Sequence, residues 1–228
     1  MKNLFKVKLP AALALLCLAS YVAFLEVQAS DETDEDISSA AVWNPTDQEL
    51  KQAEQDCQGL AGDDYTVCFT DNMDELGATP EAVDFTQQYS DEHPGAIAIL
   101  RSFHPVDEVD LGQVFFPLSK EQEQNWVLLN GLPEIISLKD PKLISQSDLQ
   151  HNPDYVKLHA AHPGLEMSFN AGKPQAKKAP NGGQSFVVSY PLTEACANCK
   201  PAGEARYSFD FDAAGEFQGA KLVKVVPR

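Results

Sequence analysis

At His93-Pro94-Gly95 the hydrophobic pattern of this 228-residue chain changes period, and that change restricts the fold more than any other feature. Before it, apolar residues recur at helical spacing. After it, short runs of β-branched and aromatic residues alternate with polar ones between Pro, Gly, Asn and Asp, the pattern of strands and turns. A chain patterned this way is expected to be an α+β protein. It places a small N-terminal helical hairpin unit over 46–92 before an antiparallel, hairpin-rich β domain over 93–228.

Within the helical part, Thr46 and Glu49 have the spacing of a capping box, and Leu50, Ala53, Cys57 and Leu60 follow as one apolar stripe ending near Gly62. Asp63 or Asp64 is the expected cap of a second helix, with Tyr65, Cys68, Phe69, Asn72, Met73 and Leu76 on one face up to Gly77. Thr79-Pro80 opens a third that carries Ala82, Phe85 and Tyr89, because Pro at the first helical position needs no amide partner.

Beyond residue 95 the clearest strand candidates are 96–100, 113–118, 125–129, 134–138, 184–190, 206–211 and 221–226. Asn130-Gly131 predicts a tight hairpin turn, since this pair tolerates positive φ. The continuously apolar run from Trp126 to Leu129 suits a central strand, and Pro133, which cannot donate to a ladder, suits an edge. Residues 139–163 fit neither period.

The front of the chain reads as a signal peptide over 1–29. Lys2, Lys6 and Lys8 precede an apolar stretch over 9–25, and Val27-Gln28-Ala29 ends in a small residue, so cleavage is expected before Ser30. An uncleaved anchor is the competing reading. No second long apolar run follows, so no membrane span is expected in the mature chain, which would be periplasmic or secreted. Residues 30–45 read as an acidic, flexible tether.

The chain carries 17 Lys and Arg against 34 Asp and Glu. Removing 1–29 leaves 14 against 33, a net charge of −19. Nucleic acid is excluded as a partner on this balance, because phosphate must be neutralised by Lys and Arg. One window departs from it. Between Glu166 and Glu194 there is no acid, and 171–183 carries Lys173, Lys177 and Lys178 on a Pro- and Gly-rich backbone. It reads as a long, mobile, basic loop between strands, either a plain hairpin connection or a partner-binding loop.

Four cysteines remain after cleavage, an even number in an exported chain, so disulfides are the default. Cys57 and Cys68 fall at matching heights of an antiparallel helix hairpin and are expected to be bridged. Cys196 and Cys199 are close enough for a bridge across a turn. A structural bridge is the first reading, because Pro201 and Gly203 lead into a strand, whereas a redox pair draws its low thiol pKa from a helix N-terminus. The competing reading is a thiol-disulfide pair helped by Lys200.

Other constellations are weaker. Asp210-Phe211-Asp212 starts like a calcium loop, but Lys221 stands where a bidentate Glu is needed, so strand-turn-strand is expected, with Phe209, Phe211 and Phe217 on one face. His159 and His162, with His151 and Asp154 upstream, are metal-capable, yet Pro163-Gly164 ends any helix that would make them converge. No metal or other cofactor is expected, and no nucleophile elbow is legible. The function expected is therefore an exported, acidic, non-catalytic binding protein. A cationic exported protein such as lysozyme, or a basic peptide, is the kind of partner its charge suits. The alternative is a thiol-disulfide redox protein using Cys196 and Cys199.

Overall fold

Thr46 opens the first helix, α1 (Asp47–Asp56), through the capping box its spacing implies. Thr46 Oγ1 accepts from the Glu49 amide at 3.3 Å, and Glu49 Oε2 accepts from the Thr46 amide at 2.6 Å. Those hydrogen bonds hold the Glu49 carboxyl below its ordinary range. The next helix, α2 (Asp63–Glu75), departs from expectation at its start. Its cap is Gly62, with φ 59° and no side-chain cap bond, and both aspartates fall inside the first turn. The short link from α1 needs positive φ at Gly59 and Gly62, so the chain enters the helix on glycine. Asp63 and Asp64 then act on the positive end of the helix dipole rather than as caps. In α3 (Pro80–Glu92) the Thr79 hydroxyl accepts from Ala82 and donates to the Ala40 carbonyl at 2.6 Å. Cys57, which caps the C-terminus of α1, is disulfide-bonded to Cys68 in α2, with Cα atoms 5.8 Å apart.

The computed structural model describes residues 36–119, 124–179, 182–194 and 200–228. These lie in one unit, Asp36–Arg228. The segment read as a signal peptide and the Cys196/Cys199 pair lie outside the described residues. Among the described residues no helix is long and apolar enough to cross a membrane.

Two antiparallel sheets follow the helices, so the fold is α+β with a β-dominated C-terminal part. The first runs in the order β1 (Ile99–His104), β2 (Asp110–Phe115), β3 (Gln124–Leu129), β4 (Ile135–Ser137). As the apolar run and Pro133 imply, β3 is internal and β4 an edge. Alternation divides the faces of this sheet. Leu100, Val114, Val127, Leu129 and Ile135 pack with Phe85 and Tyr89 of α3. Val109, Leu111, Leu128 and Ile136 pack against the second sheet, while Ile97, Ile99 and Phe115 join the cluster of α1 and α2.

The second sheet is β5 (Leu165–Met167), β7 (Gln184–Glu194), β8 (Gly203–Phe211), β9 (Phe217–Pro227), with β6 (Gln175–Lys178) also paired to β7. Its inner face is built by alternate residues of β7 and β8, from Phe186 to Leu192 and from Ala205 to Phe211. Across the β8–β9 turn the Phe217 ring lies 6.1 Å from Phe209 and 5.3 Å from Phe211, as a hairpin face requires. The sheets are tied by Gln184, whose side chain exchanges hydrogen bonds with both backbone groups of Val109, and by backbone bonds from Leu132 to Gly215 and from Phe217 to Leu132.

Three expectations are corrected here. The β3–β4 connection is no two-residue turn but spans 130–134, closed by the Asn130 amide on the Glu134 carbonyl at 3.0 Å. Asn130 does take the positive φ, at 65°, but the backbone of Leu132 is engaged by the second sheet, which a two-residue turn would forbid. The tether reading fails from Ile37 onward, since Ile37, Ala41 and Trp43 are buried. A few apolar groups in an acidic stretch suffice because the edge of β1 offers them a place. The Trp43 amide donates to the Leu100 carbonyl at 2.9 Å, and Asn130 holds both backbone groups of Ile37 at 2.8 Å. The basic loop contains β6, where the backbone of 175–178 pairs with 184–187. The unreadable stretch at 139–163 holds a 3-10 turn, Pro141–Leu143, and two short helices, α4 (Gln146–Gln150) and α5 (Pro153–Ala161). Each helix buries one leucine, Leu149 or Leu158, too few to mark a stripe in the sequence.

Between the sheets, Tyr190 donates to the Leu138 carbonyl at 2.9 Å and Tyr207 to the Ser145 carbonyl at 3.4 Å, their rings meeting edge-on. Burial raises both phenol pKa values, that of Tyr207 to about 12. Because the folded state favours the neutral phenols, their stabilising effect is complete below the ordinary value of about 10 and is lost as pH rises through the folded values. Alkaline ultraviolet titration should therefore show these two tyrosinates appearing together with loss of near-ultraviolet circular dichroism. Ionisation of every tyrosine near the ordinary value in a protein still folded would contradict this.

Candidate functional site

The C-terminal turn of α3, the 93–97 connection, the end of β2 and residues 137–142 enclose a cleft of about 600 Å³. Its inner wall is aromatic. Tyr89 is fully buried, donates to Ser137 Oγ at 3.2 Å, and stacks on the His93 ring at 4.3 Å, with Phe116 edge-on at 5.9 Å. His93 caps α3. Its Nδ1 lies 3.1 Å from the Tyr89 carbonyl, which can only accept, so Nδ1 carries a proton.

Charged groups of both signs line the cleft. On the α3 side, Gln88 donates to Glu92 Oε1 at 3.1 Å and to Glu134 Oε2 at 2.7 Å. Partial burial pushes the Glu92 carboxyl up, against the hydrogen bond from Gln88 and the nearby His93, and Glu134 adds to the rise. On the other side stand Lys139, Asp140 and Lys142, with Lys139 Nζ 5.5 Å from the centre of the Phe116 ring. A smaller cavity of about 210 Å³ continues the cleft toward α2. The two share Gly95, Ile97 and Leu118, and Leu60 and Tyr65 line the far end. Leu60 and Leu118, 46% and 49% exposed, add two apolar side chains to this groove. The Tyr65 hydroxyl is buried there without a hydrogen-bond partner among the described residues.

Around the groove the helices are strongly acidic. Between Thr46 and Glu92 the sequence holds 13 Asp and Glu and a single basic residue, Lys51. Most of these carboxylates are exposed, and among the described residues none lies within 4.0 Å of a cationic group. Uncompensated charge of one sign on adjacent helices produces a field that reaches about 8 Å into physiological solvent.

The residues singled out from sequence are scattered over other parts of the molecule. Lys173 Nζ sits 5.4 Å from the Trp126 ring centre, Lys178 pairs with Asp107 at 3.0 Å, and Lys177 is exposed on β6, so the basic segment is tied to the first sheet at two points. His159 faces Tyr155, His151 Nδ1 donates to the Ser147 carbonyl, and His162 Nδ1 lies 3.2 Å from Glu194 Oε1. Each histidine thus has its own partner, and among the described residues no group of three or more His, Cys, Asp or Glu is placed to hold a metal ion. In the former calcium-loop candidate, Asp212 Oδ1 accepts from the amides of Ala214 and Glu216 to close the β8–β9 turn.

The groove residues carried no such mark. Tyr89 read as a core position, and Phe116, Leu118 and the 139–142 segment are brought to it only by sheet topology. Compared with family models, curated proteins and solved structures, the chain matches none of them.

Proposed function

We propose that this chain is an exported, acidic, non-catalytic binding protein whose partner is a basic protein or peptide. The observation that carries the reading is the run of 13 carboxylates against one lysine across α1, α2 and α3, exposed and without cationic partners among the described residues. Such a surface accelerates encounter with a cationic partner and repels nucleic acid. Export rests on the Lys2, Lys6, Lys8 segment, the apolar stretch over 9–25 and Val27-Gln28-Ala29.

Protein purified from the exported fraction of its native cells is expected to begin at Ser30. It should capture lysozyme or cytochrome c at low salt and release them as ionic strength approaches the physiological range. Reversing Asp71, Asp74 and Glu75 of α2 to Lys should weaken capture about tenfold, and by more than reversing Asp148, Asp154 and Glu166, which leaves the same net charge. Equal losses from the two sets, or no capture at low salt, would remove the helices as the binding surface.

A further inference from the structure

Asn130-Gly131 is a pair that the fold requires and that chemistry makes labile. Asn130 fastens Ile37 with its side chain while its backbone sits at φ 65°. Gly131 is buried, and a Cβ there would lie 3.0 Å from the Gly215 carbonyl oxygen and 3.2 Å from Phe211 and Val109, so no larger residue fits. Asparagine is a chemically labile residue, most of all before glycine, where no side chain screens the following amide nitrogen. The Gly131 nitrogen attacks Cγ of Asn130, a bond between them forms, and Nδ2 departs as ammonia with the displaced amide proton. Water then opens the five-membered imide and leaves aspartate or isoaspartate at position 130. We infer that Asn130 is a deamidation site gated by the clasp it forms. The side chain is protected while it holds Ile37, reacts when residues 37–43 open, and once converted keeps that segment from closing again.

Three bonds oppose the reaction in the closed state. Oδ1 accepts from the Ile37 amide, and Nδ2 donates to the Ile37 carbonyl and to Asp110 Oδ2, each at 2.8 Å. Closing the imide ring turns Cγ back onto its own main chain, which breaks them. The close packing of Gly131 against Gly215, Phe211 and Val109 also limits the backbone swing that brings its nitrogen to Cγ. Reaction therefore draws on the open population, which for a minor local state is on the order of 0.1–10%. The product cannot repeat the clasp. An oxygen stands where Nδ2 stood and faces two acceptors, the Ile37 carbonyl and the buried Asp110 carboxylate. Two hydrogen bonds become acceptor–acceptor contacts, and a second negative charge enters beside Asp110. Isoaspartate also inserts a methylene into the main chain of a connection closed by the Asn130 amide on the Glu134 carbonyl.

The test follows conversion at position 130 by peptide mapping of purified protein held at mildly alkaline pH, folded or in urea. Folded protein should convert at least about tenfold more slowly than unfolded protein. Asn181, which precedes Gly182, supplies the intrinsic rate in urea, where the two sites should match. Trp43→Ala removes a buried anchor of the segment and should speed conversion at Asn130 while exchange protection in β7 and β8 persists. Asn130→Asp supplies the product directly and should fold with the Ile37 amide unprotected. Equal rates for folded and unfolded protein would overturn the gating, as would a Trp43→Ala protein that releases Ile37 yet converts no faster. If Asn130→Asp does not fold, exchange on wild-type protein converted while folded takes its place. Protection of Ile37 in that product, or in the variant, would show that the clasp closes over the modified residue and would overturn the lock.

Discussion

Asn130→Ala is expected to cost about 4 kcal/mol and to release residues 37–43 from the first sheet. Asn130 occupies a left-handed conformation and spends its whole side chain on tertiary bonds. Its Oδ1 accepts from the Ile37 amide, and its Nδ2 donates to the Ile37 carbonyl and to Asp110 Oδ2, each at 2.8 Å. Alanine keeps none of these bonds, leaves polar groups of a buried segment without partners, and pays the steric cost of positive φ. Asp110, itself buried, would keep only the Val106 amide among the side-chain bonds that now satisfy it. Asn130→Gly removes the steric part alone and should recover about 1 kcal/mol. Denaturant melts measure the loss, and hydrogen exchange at Ile37 with Trp43 fluorescence reports the release. If the Ile37 amide stays protected in the alanine variant, something other than Asn130 holds the segment.

Removing both Cys57 and Cys68 as alanines should lower stability by about 3 kcal/mol, with the loss concentrated in α1 and α2. The bridge closes a loop of 11 residues' separation, and most of its effect lies in restricting the unfolded chain. The bridge adds to a small shared cluster in which Leu50 and Ala53 of α1 pack with Phe69 and Met73 of α2. The α1 helix buries only Leu50 and Ala53 within its own length, and α2 meets α3 both through Phe69, Met73 and Ala82 and through the 2.9 Å contact between the Thr66 and Ser90 hydroxyls. Reduction of the wild type should therefore mimic the double variant in urea melts, and exchange should rise first in α1. A reduced protein with an unchanged midpoint would show that packing alone fixes the helical hairpin.

What could be read in advance follows the strength of local physics. The capping box at Thr46, the helix stripes, the strict alternation of β7 and β8 and the edge role imposed by Pro133 are each decided within a few residues, and each stands in the structure. The Cys57–Cys68 bridge was legible for the same reason, two apolar faces meeting at one height. The misses depend on distant contacts. Asn130 has the φ its sequence context suggests, but its partners lie 93 and 20 residues away, and no turn rule contains them. Residues 37–43 looked like tether because their apolar content is small, and only the open edge of β1 makes it sufficient. The groove is the extreme case. Its walls come from segments around 60, 93, 118 and 140, and none of their side chains needs a distinctive neighbour in sequence to be there.

The stretch at Trp43–Asn44 covers part of the outer edge of the first sheet. Its bonds to the carbonyls of Leu100 and Arg101 occupy part of the outer rim of β1 that would otherwise be free to recruit another chain. An excised fragment opening at Thr46, the natural place to cut if the helices were taken as the start, would present that rim bare and invite a second copy to supply the missing strand. The stretch around Trp43 thus covers an edge that its own sheet leaves open. Its contribution arrives late, since Ile37 leaves the ribosome long before the Asn130 that fastens it.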